Sequence, residues 1–201
     1  MYRYKIEELK KWKNSDNRKP LIIRGARQVG KTWLMKEFGE KNYEKCAYIN
    51  FDDNSRMEQL FSGDFDIERI IQGLKIESGV NIEAENTLII FDEIQECPKA
   101  VTSLKYFYEN ANQYHIITAG SLLGVAMHQG TSFPVGKVDF LDLYPLNFKE
   151  FLKALGEDDL IDLINKNDIN LITVFSDKLK IYLKQYMYIG GMPEVLETYI
   201  K

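Results

Sequence analysis

The chain has 201 residues, of which 45% are hydrophobic and 28% charged, and its net charge at neutral pH is −4. That length holds one α/β domain plus a small appendage with ample core, and the charge balance supplies no general basic field for nucleic acid or an anionic membrane. The charged N-terminus lacks the apolar stretch of a secretory signal, no apolar run spans a bilayer, and Cys46 and Cys97 are too few for a metal site or disulfide framework, so a soluble cytoplasmic protein with reduced core thiols is expected.

In chain order, Ile6, Leu9 and Trp12 recur at helical spacing, which gives a short helix over 4–13. Tyr2, Tyr4 and Trp12 either join the core or touch a base. A polar loop and Pro20 lead to the apolar run Leu21, Ile22, Ile23, which suits a buried parallel strand. Gly25, Gly30, Lys31 and Thr32 then fit G-x-x-x-x-G-K-[ST], and the residues after them read as a helix with Gly39 as its stop. Strand, glycine turn and helix form an anion nest from Gly25, Ala26, Arg27, Gln28, Val29 and Gly30. Lys31 is placed to reach the β- and γ-phosphates of ATP, Thr32 to take one position on Mg²⁺, and Trp33 to lie beside the bound nucleotide.

A second strand over 46–51 ends at Asp52 and Asp53, which are either ligands or a solvated strand end. Asp64 or Asp66 caps a helix through Ile67, Ile70, Ile71 and Leu74, and Gly79 stops it. Residues 87–93, Thr-Leu-Ile-Ile-Phe-Asp-Glu, form an apolar run whose carboxylates emerge at the carboxyl end, the pattern of a Walker B strand. Asp92 is assigned to the Mg²⁺ shell and Glu93 to the general base that polarises the attacking water. Pro98 opens the next helix. Residues 115–119 form a fourth strand, after which Ser121, with Thr118 second, either senses the γ-phosphate or simply caps residues 122–127. His115 and His128 read as structural.

Residues 138–143 alternate as a half-exposed fifth strand, and Asn147 starts a helix through Phe148, Phe151, Leu152 and Leu155. From Asp158 onward the period is helical, broken by Gly190-Gly191-Met192-Pro193. The expected fold is a three-layer α/β P-loop NTPase, AAA-like, with a five-stranded parallel sheet. The core covers 1–146 and a small helical lid covers 147–201, cut short before a further C-terminal domain.

The segments Ile23–Thr32, Phe91–Pro98, Thr118–Ser121, Phe133–Lys137, Leu143–Phe148 and Tyr188–Pro193 resemble a prokaryotic AAA-type ATPase family, related to signal-transduction ATPases that carry a Gly-Gly-x-Pro turn. The resemblance implies Mg²⁺-dependent ATP hydrolysis, closure of Gly191 and Pro193 over the phosphates, and a protein or DNA partner read by a C-terminal domain. An oligomer is possible, and from the charge balance and the lack of a bilayer-spanning run no membrane partner is expected. The arginine finger that ring-forming ATPases usually donate from the region before the fifth strand has no counterpart at that place here. All six arginines lie at or before Arg69, and only Lys137 precedes the fifth strand, so hydrolysis is expected to be slow. A kinase lid is disfavoured for the same reason. Two alternatives stay open: a nucleotide-dependent binding switch with negligible turnover, and a GTPase using Asn165-Lys-Asn-Asp168, although that motif follows a segment of helical period.

Overall fold

The computed structural model describes residues 1–120 and 133–201, and these form two compact units, one of residues 6–143 and one of residues 1–5 with 144–201. In the larger unit, α1 (Lys5–Lys13) precedes β1 (Leu21–Arg24), α2 (Lys31–Asn42), β2 (Lys45–Asn50), α3 (Ser55–Ser62) and α4 (Ile67–Ser78). Then come β3 (Thr87–Asp92), α5 (Pro98–Asn110), β4 (His115–Ala119) and β5 (Asp139–Asp142). All the strand pairs are parallel and the order is β2-β3-β4-β1-β5. Because both faces are covered, β3 and β4 are buried along their whole length, and apolar residues dominate them.

Strand alternation splits the core into two layers. Ile22, Ile49, Ile89, Phe91 and Ile116 face Phe61 of α3, Leu74 of α4 and Phe107 of α5. Ile23, Leu88, Ile90 and Ile117 face Leu9 and Trp12 of α1 and Leu34, Met35 and Phe38 of α2. The sheet and its two helical layers are those expected, but two details differ. Helix α2 does not stop at Gly39; it continues to Asn42 and Tyr43 caps it. A Cβ at Gly39 would lie 2.7 Å from Cys46 Sγ and 3.2 Å from Leu88 Cδ2, so the glycine lets the helix approach the sheet. Helix α3 is absent from the sequence reading, because only Met57 and Phe61 anchor it and its cap is the Asn54 side chain accepting from the Met57 N–H.

His115, at the amino end of β4, is buried and its Nδ1 lies 2.7 Å from the Tyr43 hydroxyl. Burial, with Arg18 and Lys13 nearby, lowers its pKa to about 4. The neutral ring is therefore the form the fold accepts, and its contribution is complete above the unfolded value of about 6.5 and is lost as pH falls toward 4. Wild type should lose about 2 kcal/mol between about pH 7.5 and about pH 5 that His115→Gln does not lose, as read by urea unfolding.

The smaller unit contains α6 (Phe148–Ala154), α7 (Asp158–Lys166), α8 (Ile169–Val174), α9 (Ser176–Ile189) and α10 (Pro193–Ile200). Its organising contact is polar. Glu150 closes a capping box with Asn147 and accepts the Tyr4 backbone N–H at 2.8 Å. It also pairs with Arg3 at 3.3 Å, both side chains being 4% exposed, while Arg3 Nη2 donates to the Tyr144 carbonyl. Removing one member of a buried pair strands the other charge. Glu150→Ala should therefore cost about 3–5 kcal/mol in denaturant unfolding.

Candidate functional site

Since the strands are parallel, their carboxyl ends share one edge. The chain leaves β1 and re-enters the sheet at β2, beyond β4 and β3, which opens a crevice at that edge. Just before the turn, the Arg24 guanidinium bonds both oxygens of Asp142 on β5 at 2.8 and 2.9 Å and lies 4.4 Å from the Phe140 ring centroid. Gly25 follows, and a Cβ there would sit 2.3 Å from the Leu143 carbonyl oxygen, so β1 can meet β5 this closely only with glycine. Gln28 (φ 63°) and Gly30 (φ 95°) adopt left-handed backbone, which turns the chain into α2. Gly30 is the N-cap and brings no side chain to the first amides of α2, which suits that helix end to an anion.

Lys31 folds over this turn. Its Nζ donates to the Gly25 and Ala26 carbonyls at 2.9 and 2.8 Å, and the side chain is buried. Burial lowers the ammonium's pKa, while the negative charges of Glu93 and Asp92 act in the opposite sense. Thr32 Oγ1 donates to Asp92 Oδ2 at 2.7 Å, so the helix after the turn and the end of β3 meet at a hydroxyl and a carboxylate. Both are hard oxygen donors, and as a set they fit Mg²⁺. Asp92 Oδ2 also accepts the Tyr48 hydroxyl at 2.9 Å, and Oδ1 accepts the Glu93 backbone N–H at 3.1 Å. Burial, then the Asp92 charge, raises the Tyr48 pKa and keeps that phenol protonated.

Glu93 itself sits in left-handed backbone at φ 50° and ψ 40°, an uncommon state for a residue with a side chain. Its Oε2 accepts Gln95 Nε2 at 2.6 Å. Ala26, Arg27, Gln28 and Trp33 are exposed beside the turn, whereas Val29 is buried in the core under α2.

The other expected site residues fall elsewhere. Strand alternation puts Thr118 level with Ile22 and Phe91, on the face away from α2, where its hydroxyl is buried without a hydrogen-bond partner among the described residues. Ser121 and His128 lie outside the described residues. Lys137 stands before the amino end of β5, paired with Glu109 at 2.9 Å. It is at the opposite end of the sheet from Lys31, so this chain does not bring it to its own glycine turn. Asp52 and Asp53 are exposed at the carboxyl end of β2. Gly191 has a local reason to be glycine, because a Cβ would lie 2.2 Å from the Leu146 carbonyl oxygen and its own carbonyl accepts the Leu146 N–H at 2.7 Å. Pro193 opens α10. Asn165 accepts Lys149 at 2.7 Å within α7 and Asp168 caps α8, so no strand presents the N-K-x-D residues. Tyr48, Lys36 and Gln95 escaped the sequence reading. Only the alternation of β2, which places Tyr48 on the same face as Asn50, could have pointed to the first.

A glycine turn closing into a helix, opposite an acidic strand end in a parallel sheet of this order, defines a P-loop nucleotide-binding fold. The chain belongs to the AAA_14 family of AAA domains, whose family model matches residues 17–152. It is an AAA-type P-loop ATPase domain. It is 24% identical over 203 residues to the uncharacterized protein MJ1637 of Methanocaldococcus jannaschii, covering 95% of this chain and 41% of that protein. It is 28% identical over 178 residues to the uncharacterized protein MJ1544 of the same organism, covering 87% and 35%. The chain thus spans less than half the length of these curated relatives. Among solved structures, Drosophila ORC bound to DNA aligns with a TM-score of 0.56 at 16% identity, covering 96% of this chain and 58% of that one. The ADP form of the Aeropyrum pernix ORC2 protein aligns at 0.51 and 16% identity, covering 78% and 52%. These likenesses concern the fold. Among the described residues no helix is long and apolar enough to cross a membrane.

Proposed function

We propose that the chain binds ATP in a Mg²⁺-dependent manner and hydrolyses it slowly to ADP and phosphate, coupled to a conformational change. The observation that supports this best is the 2.7 Å contact between Thr32 and Asp92, which joins the glycine turn to an acidic strand end across 60 positions of sequence. The amides of the turn and of the first residues of α2 cradle the phosphates, and Lys31 adds its ammonium at the β- and γ-positions. Thr32 and Asp92 hold the cation, which when bound neutralises charge on the transferring phosphoryl group. Glu93 accepts the proton of the attacking water. No arginine follows Arg69 in this sequence, so the region before β5 offers the developing charge on the γ-phosphoryl oxygens no arginine donor, and slow turnover is expected. A membrane plays no part in this reading. Partner recognition, of protein or DNA, belongs to the length that the curated relatives have beyond this domain.

A second reading, a nucleotide switch with negligible turnover, is favoured by one contact, the 2.6 Å hydrogen bond that engages Glu93 with Gln95. Two measurements test the assignment. Unlabelled ATP should displace a fluorescent adenine nucleotide far better than GTP, and better still with magnesium. Phosphate release should be slow yet above the rate of the buffer blank. Equal displacement by GTP would return the guanine motif to favour, and release no faster than buffer would leave only the switch.

A further inference from the structure

Asp92 is held from a strand the glycine turn does not use. The Tyr48 hydroxyl, on β2, donates to Oδ2 at 2.9 Å, the Thr32 hydroxyl donates to the same oxygen at 2.7 Å, and the Glu93 N–H donates to Oδ1 at 3.1 Å. An ionised carboxylate offers about four acceptor positions. Among the described residues these contacts use three, which leaves one, on Oδ1. The Tyr48 ring is held in turn from above, because Lys36 Nζ of α2 lies 3.7 Å from its centroid. A cation over the ring face is attracted to it and makes the phenol a better donor. The cross-strand register pairs Tyr48 with Ile90 and Asn50 with Asp92, so the phenol reaches along the sheet to the carboxylate, not directly across it.

We propose that Tyr48 is a positioning residue for the cation: its hydroxyl orients the Asp92 carboxylate so that its remaining acceptor is turned to the metal shell, and Lys36 fixes the ring that carries the hydroxyl. This deepens the magnesium–nucleotide reading above and rests on it. Residues that orient a metal ligand from behind typically change metal affinity by about 10- to 100-fold when altered. Here Thr32 and the Glu93 N–H still restrain Asp92, so the lower part of that range applies.

The test is Tyr48→Phe, which keeps the ring and removes only the oxygen. Binding of a fluorescent ATP analogue is measured as magnesium is titrated, and again with a chelator. The half-saturating magnesium concentration should rise about tenfold, and affinity in the chelator should stay unchanged. In an Asp92→Asn background the same change should add no further shift, because the oxygen it orients is gone. Lys36→Met should move the magnesium midpoint in the same direction by a smaller factor, about two- to threefold, and it carries the test if Tyr48→Phe does not fold. An unchanged midpoint, or an equal loss with and without magnesium, would overturn the proposal. A wild-type chain whose nucleotide binding ignores magnesium would instead sink the reading beneath it.

Discussion

Lys31→Ala should weaken ATP binding by about 10²- to 10³-fold, the effect of removing a largely buried charge that faces an anionic ligand. The ammonium is held over the turn by the Gly25 and Ala26 carbonyls and needs only a short reach to a phosphate at the turn. Alanine keeps the glycines of the turn but removes the two hydrogen bonds Lys31 makes to it, so the loss reports the ammonium together with its hold on the turn. Competition against a fluorescent nucleotide measures it. A change of less than about threefold would mean that Lys31 serves the loop and not a ligand.

Glu93→Gln should separate binding from chemistry. The amide keeps the size of the side chain but cannot accept a proton, so turnover should fall by about 10²- to 10⁴-fold while nucleotide affinity stays within a few-fold. The left-handed backbone at Glu93 aims its side chain from the end of β3 while Asp92 is engaged by Thr32. Phosphate release under saturating ATP and a parallel binding titration read the two quantities. Normal turnover in Glu93→Gln would remove it from the role of base.

The sheet was legible because its buried central strands are mainly apolar, and Leu21, Leu88 and Ile116 sit in such runs, while Ala47 lies in the partly exposed β2. The candidate site was legible where one short segment carries it: a glycine turn with Lys31 and Thr32, and an acidic pair after Phe91. What escaped depends on contacts between distant segments. Tyr48 meets Asp92 only once β2 lies beside β3, and Gly39 is required by Cys46 from that same strand. Arg3, one of the early arginines, belongs with Glu150, and no local pattern links residues so far apart. Lys137 precedes β5 in the sequence; in three dimensions that place is the amino end of a parallel strand, the edge opposite Lys31. A parallel sheet gathers function at one edge, and position along the sequence does not reveal which edge a residue joins until strand direction is known.

Calorimetric titration of ATP into the purified chain, with magnesium and then with a chelator, bears most directly on the claim that the Gly30 amides, Lys31, Thr32 and Asp92 together hold a metal–triphosphate. We expect saturable binding that tightens markedly when magnesium is present. No measurable affinity for any adenine nucleotide under either condition would contradict it.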